Sequence, residues 1–216
     1  ARRLILSDLS QFDWRNMKGD PLRRQSSPMR ETELTEVVRS SKRVVAGAMQ
    51  FQLGGEAKLL TQCHHESTGP PLKSFLFDVG DEDRYEKYAE ETLKAIDAII
   101  EVFPRLSLHD RVAVILPDEL FVKELKPRLD AQLAKHKGRF ELVPAIKAAE
   151  AVGEHKSGPE WLLFDDARQY DGLERLIVIA VGLDAAVADD ASEAVEAVEA
   201  RSRLYRAITR AHMMVL

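Results

Sequence analysis

Apolar positions along this chain follow two periods in alternation. Compact apolar runs at Arg3–Leu6, Leu72–Val79, Arg111–Leu116, Phe140–Val143, Trp161–Phe164, Leu176–Val181 and Met213–Leu216 predict strands. Between them the spacing becomes helical. Thr32–Phe51 places Leu34, Val37, Val38, Val44, Val45 and Ala48 on one side, with Thr32 as cap and Gly54-Gly55 as stop. Asp81–Phe103 does the same with Tyr85, Tyr88, Leu93, Ile96 and Ile100, Glu119–His136 with Leu120, Leu125, Leu129 and Leu133, and Ser192–Arg210 forms a further helix. Phe12–Met29 is polar, basic and broken by Gly19, Pro21 and Pro28, so it reads as a loop. Leu59–Pro71 is a second loop, and Lys147–Glu160 holds a helical turn and then a Gly/Pro loop.

Strand and helix alternate throughout, which predicts an α/β fold: a parallel sheet with helices on both faces. Leu176–Val181 is apolar on both of its faces, as a strand covered from both sides must be. The chain begins and ends inside apolar runs, so it reads as a piece of a longer protein. No internal repeat or coiled-coil heptad occurs.

Composition adds limits. With 216 residues, 45% hydrophobic and 31% charged, the chain can bury a sizeable core. No apolar run approaches the ~20 residues of a membrane span. A single cysteine, Cys63, excludes an internal disulfide framework and fits a reducing, intracellular compartment. The net charge of −5 does not announce a nucleic-acid binder, but charge is uneven. Residues 1–43 are rich in arginine and lysine, whereas residues 184–199 carry acids and no base.

The stretch with the most chemistry is Arg201-Ser-Arg-Leu-Tyr-Arg-Ala-Ile-Thr-Arg-Ala211, where four arginines follow that acidic segment. A guanidinium is permanently charged and forks onto phosphate oxygens. The stretch resembles the last signature motif of superfamily 1 helicases of the UvrD-like group, with the match on Leu204, Tyr205, Ala207, Thr209, Arg210 and Ala211. Asp171-Gly172-Leu173-Glu174 and the run after it resemble that group's K-G-L-E motif and strand. Leu34–Val45 is similar to its L-x-x-N-Y-R-S segment, and Leu4–Gln11 to its G-D-x-x-Q motif. The four fall in the family's order.

The resemblance implies a RecA-like P-loop NTPase fold: residues 1–30 as the tail of a first motor domain and a basic linker, and residues 31–216 as the second motor domain, without its own P-loop. ATP would be clamped between the two. Arg39 and Arg210 would stabilise charge on the transferring phosphoryl group, Gln11 would sense the γ-phosphate, Glu174 would accept from the ribose hydroxyls, and Gly172 would let backbone approach the nucleotide. The N-terminal RecA-like domain of the same protein would hold most of ATP and Mg2+, and the partner strand would be single-stranded nucleic acid. Because no G-x-x-x-x-G-K-[ST] loop is present, the chain alone is expected to be inactive.

Departures from the family pattern keep other readings open. The adenine-stacking tyrosine falls at Val38, the lysine before G-L-E at Asp171, and an apolar position at Arg206. Two residues that would touch the nucleic-acid strand fall at Asp166 and Arg168, and an aspartate there would repel phosphate. A degenerate module that binds nucleic acid or protein without turnover is the alternative. A third reading, an unrelated doubly wound enzyme with its ligand at the strand carboxyl ends, predicts Arg39 and Arg210 far apart. Val112–Glu119 looks like a magnesium-binding strand end but is better explained as a buried strand followed by an acidic helix cap. Cys63-His64-His65-Glu66 lacks the spacing of a closed metal site, and Trp14 in the basic loop could stack on a base.

Overall fold

The computed structural model describes residues 36–52, 62–63, 65–80, 83–151, 157–184 and 193–216, with backbone alone for 36, 62 and 193–196. Gln11, Trp14, Thr32, the Gly54-Gly55 stop and the strand at Arg3–Leu6 lie outside the described residues. In chain order the elements are β1 (Glu36–Val37), α1 (Lys42–Met49), β2 (Gln62–Cys63), α2 (Arg84–Val102), β3 (Val112–Leu116), α3 (Glu119–Leu133), β4 (Phe140–Val143), β5 (Glu160–Asp166), β6 (Arg175–Ala180), α4 (Glu193–Ile208) and β7 (Ala211–Val215). A five-stranded sheet runs β4-β5-β3-β6-β7, and every pair in it is parallel. β1 and β2 form a separate parallel pair.

The period of two along β3 divides the core. Val112, Val114 and Leu116 point to the face covered by α2 and α3, where they meet Ile96, Ile99, Leu125 and Leu129. Ala113 and Ile115 point to the opposite face, packed with Val44 and Ala48 of α1 and Ala207 and Ile208 of α4. Both faces are therefore dry, as an all-parallel sheet requires, and the α/β architecture is the one expected. Each large aliphatic side chain buried in this way contributes about 1.5–3 kcal/mol.

α3 begins as its sequence indicates: the Asp118 carboxylate accepts from the Phe121 N–H at 2.8 Å, the cap that the plain reading of Val112–Glu119 requires. Phe121, not Leu120, enters the core; Leu120 is exposed. At Gly182, φ is +64°, and a side chain there would meet the Phe121 ring, so the turn after β6 needs glycine on both counts.

Two expected elements differ. Among the described residues of the helix predicted over Thr32–Phe51, only Lys42–Met49 is helical, preceded by β1 and a bend. Ser40 and Ser41 break it because tertiary bonds claim them. Ser40 Oγ donates to the Ala211 carbonyl at 2.9 Å, Ser41 Oγ to Met213 at 3.1 Å, and the Ser41 N–H to His212 at 2.7 Å. Serine side chains that bond elsewhere stop supporting a helix. The strand predicted over Leu72–Val79 does not form; among its residues, the Lys73 N–H donates to Val215 at 3.3 Å. These contacts cover the outer edge of β7, which would otherwise offer unpaired backbone groups.

Candidate functional site

The amino ends of β6 and β7 are joined at the first rung of their ladder: the Arg175 N–H donates to the Arg210 carbonyl at 2.9 Å. That one bond makes Glu174 and Arg210, the residues just before each strand, neighbours. The Ser40–Ser41 contacts bring the segment after β1 onto the start of β7 from the other side. Arg39 arrives with it and forms a close ion pair with Glu174 Oε1. A register shift between β6 and β7 gives β7 one extra residue at His212–Met213, a bulge of the kind that re-aims side chains. His212 Nε2 lies 2.9 Å from Glu174 Oε2, so both oxygens of Glu174 are engaged.

The neighbouring carboxylate, Asp171, takes two guanidiniums. Arg206 Nη2 donates to both of its oxygens at 2.8 and 2.9 Å, and Arg210 Nη2 to one at 3.3 Å. The two positions that depart from the family pattern with opposite charge, Asp171 and Arg206, are thus partners of each other. Three guanidiniums, from Arg39, Arg206 and Arg210, face two carboxylates, so the rim carries excess positive charge. Burial lowers the proton affinity of Arg210; Asp171 opposes that, while Arg206 adds to it. Glu174 and Arg39 also act on Arg210, so all five groups belong to one electrostatic site. A guanidinium stays charged regardless.

Tyr170 holds the turn that carries Asp171. It ends the 3-10 turn Ala167–Tyr170, is fully buried, and donates its hydroxyl to the Val114 carbonyl at 3.1 Å. Burial raises its pKa well above the usual value, so it stays a neutral donor. Gly172 follows with φ +82° and open space where a side chain would project. The need for glycine here is conformational.

The structure thus brings Arg39, Glu174 and Arg210 together and places Gly172 in the adjoining turn, whereas Gln11 lies outside the described residues. The separation of Arg39 from Arg210 that the third reading expected is not observed. Sequence reasoning missed His212, which no motif marks and only the bulge aims. It also missed Tyr170, whose partner is 56 positions away. Val38 is 67% exposed.

The carboxyl ends of the strands are different. Asp166 does not face solvent, contrary to the expectation that it would repel a strand. It is fully buried, accepts from the Arg168 N–H at 2.9 Å, and pairs with Arg168 Nε at 3.2 Å, so the group presented outward is the Arg168 guanidinium. Burial raises the pKa of the adjacent Asp165. Near the ends of β6 and β7 lies a cavity of about 290 Å³, lined in part by Phe75, Phe77, Tyr88, Thr92 and Asp184. Arg84 sits over the rings of Tyr85, Tyr88 and Phe121 at 5.7, 6.0 and 5.7 Å. Cys63 Sγ reaches the Ser40 carbonyl, and His65 Nδ1 accepts from the Ser67 N–H. Among the described residues no group of three or more His, Cys, Asp or Glu could hold a metal ion, and no helix is long and apolar enough to cross a membrane.

Comparison with solved structures finds the C-terminal domain of a possible DNA helicase from Lactobacillus plantarum WCFS1, at 15% identity, covering 82% of this chain and 84% of that one, with a TM-score of 0.44. No protein-family model and no curated protein matches the chain.

Proposed function

We propose that this chain is the second RecA-like motor domain of a superfamily 1, UvrD-like helicase or related nucleic-acid-dependent NTPase, and that its amino-end rim is its half of a shared ATP site. The observation that carries the reading is the convergence of Arg39 and Arg210 on the carboxylates that precede β6. The donor set is cationic, which fits the phosphates of ATP and not the magnesium. The metal therefore belongs with the partner domain, together with the P-loop. In this reading Arg39 and Arg210 stabilise negative charge on the phosphoryl group as it leaves, and the low exposure of Arg210 strengthens that interaction by excluding water. Glu174 accepts from a ribose hydroxyl by exchanging Arg39 or His212 for it. Gln11 senses the γ-phosphate, and Gly172 gives the backbone turn that approaches the nucleotide. Single-stranded nucleic acid crosses the domain and couples strand movement to closure.

The test is ATP hydrolysis by the full-length protein with and without single strands, beside hydrolysis by these 216 residues. Strand-stimulated turnover by the full-length protein and none by this chain is the expected result. Robust turnover by this chain alone overturns the division of labour. Absence of turnover in the full-length protein favours the degenerate module, a reading that the exposed Val38 and the Asp171–Arg206 pair keep in view.

A further inference from the structure

Asp171 is placed as a ligand would be. Its side chain is 60% exposed, yet the side chains of the two arginines that it holds are only 16% and 12% exposed. It stands on the two-residue turn Asp171-Gly172, beside a glycine around which there is open space. The arginines are anchored by packing: Ala207 and Ile208, which lie between them in sequence, are in the core. Arg206 Nε is itself buried, and among the described residues it has no hydrogen-bond acceptor. So the acid is the part of this cluster that can leave without unpacking anything, and its departure exposes two preorganised cations.

We propose that Asp171 is a tethered competitor: its carboxylate occupies the place of an incoming phosphate and sets the affinity threshold of the rim. This rests on the reading of the rim as a phosphate site. An anion must displace Asp171 before it can bridge Arg206 and Arg210. The competent state is then a minor fraction of the population, and apparent affinity for every such anion falls by that fraction. A tripolyphosphate, with several charges and reach to Arg39 as well, overcomes the threshold, whereas an anion that holds through two guanidiniums alone is pushed out of the working range. Arg206 becomes a third phosphate-facing arginine in the bound state, so the two departures from the helicase pattern form one device.

Titration calorimetry of the chain with sodium tripolyphosphate tests this. Asp171→Asn removes the charge and keeps the shape, and is expected to tighten binding about tenfold, the effect of a competent state populated near one part in ten. Asp171→Glu restores a carboxylate and should return affinity toward that of the unmodified chain. Arg210→Ala in the Asp171→Asn background should abolish the gain. A purely structural Asp171 predicts the reverse, weaker binding in Asp171→Asn through loss of order in the arginines. Equal or weaker binding by Asp171→Asn overturns the proposal and leaves the phosphate site standing. No measurable binding by either protein overturns both.

Discussion

Two aspartate–arginine pairs five positions apart in sequence are built in opposite senses. At the carboxyl end of β5, Asp166 is fully buried and its partner Arg168 is 63% exposed. At the amino end of β6 it is Asp171 that is exposed and Arg206 and Arg210 that are packed. Charge alternation alone makes these pairs equivalent; burial does not. Desolvation fixes whichever member is inside, and the outer member is the one that can change partner. Asp166 is therefore a structural acid that caps a turn. At the other rim the packed arginines are the durable feature, which is the arrangement an anion site needs.

The largest effect that can break this contrast is catalytic. Arg210→Ala in the full-length protein should cut strand-stimulated ATP hydrolysis by about 10³-fold or more, while Arg168→Ala should leave the chemical step nearly intact. Steady-state hydrolysis under saturating ATP decides it, and equal losses would erase the distinction between the rims.

A second contrast lies within the amino rim. Glu160, at the start of β5, accepts from Arg139 Nε at 2.9 Å, from Ser107 Oγ and from the Leu108 N–H. Burial alone would raise its pKa, but these partners outweigh burial and hold it below the usual value. A depressed folded pKa means stability that is present above the unfolded value near 4.3 and lost as pH falls through the lower folded value. Glu160→Gln should cost about 1.5–3 kcal/mol in urea unfolding at pH 7, with the gap to the unmodified chain closing below about pH 4. A gap that persists in acid would assign the cost to packing.

Smaller effects sharpen the pair comparison itself. Asp166→Ala removes the acceptor for the Arg168 N–H and should cost about 1 kcal/mol, whereas Asp166→Asn keeps an acceptor, drops the buried charge and should cost less. Arg168→Ala should change stability by no more than about 0.5 kcal/mol. A large loss in Arg168→Ala, measured by thermal unfolding, would show that the outer member is structural after all.

Much of the sheet was legible because β3, β5 and β6 are apolar on both faces, a pattern that few other structures tolerate. The α2 and α3 helices were legible from their spacing, and Asp118 from its place before Glu119. The Thr32–Phe51 helix misled because Ser40 and Ser41 look neutral in a helix until β7 offers them carbonyls. Arg39, Glu174 and Arg210 were marked by motif, yet their meeting depends on the Arg175–Arg210 backbone bond. His212 and the Asp171–Arg206 pair were illegible for a related reason. They depend on one bulge and on one buried tyrosine hydroxyl, and neither leaves a periodic trace in sequence.

Polyphosphate binding at the amino ends of β6 and β7, as proposed, uses the packed Arg206 and Arg210 and the more exposed Arg39. Side-chain Nε–Hε NMR of arginine during titration of this chain with tripolyphosphate reads each guanidinium separately. The expected outcome is that Arg39, Arg206 and Arg210 shift together and saturate at one concentration, with Arg168 unmoved. Shifts at Arg168 or Arg84 while the three rim arginines stay still would contradict it.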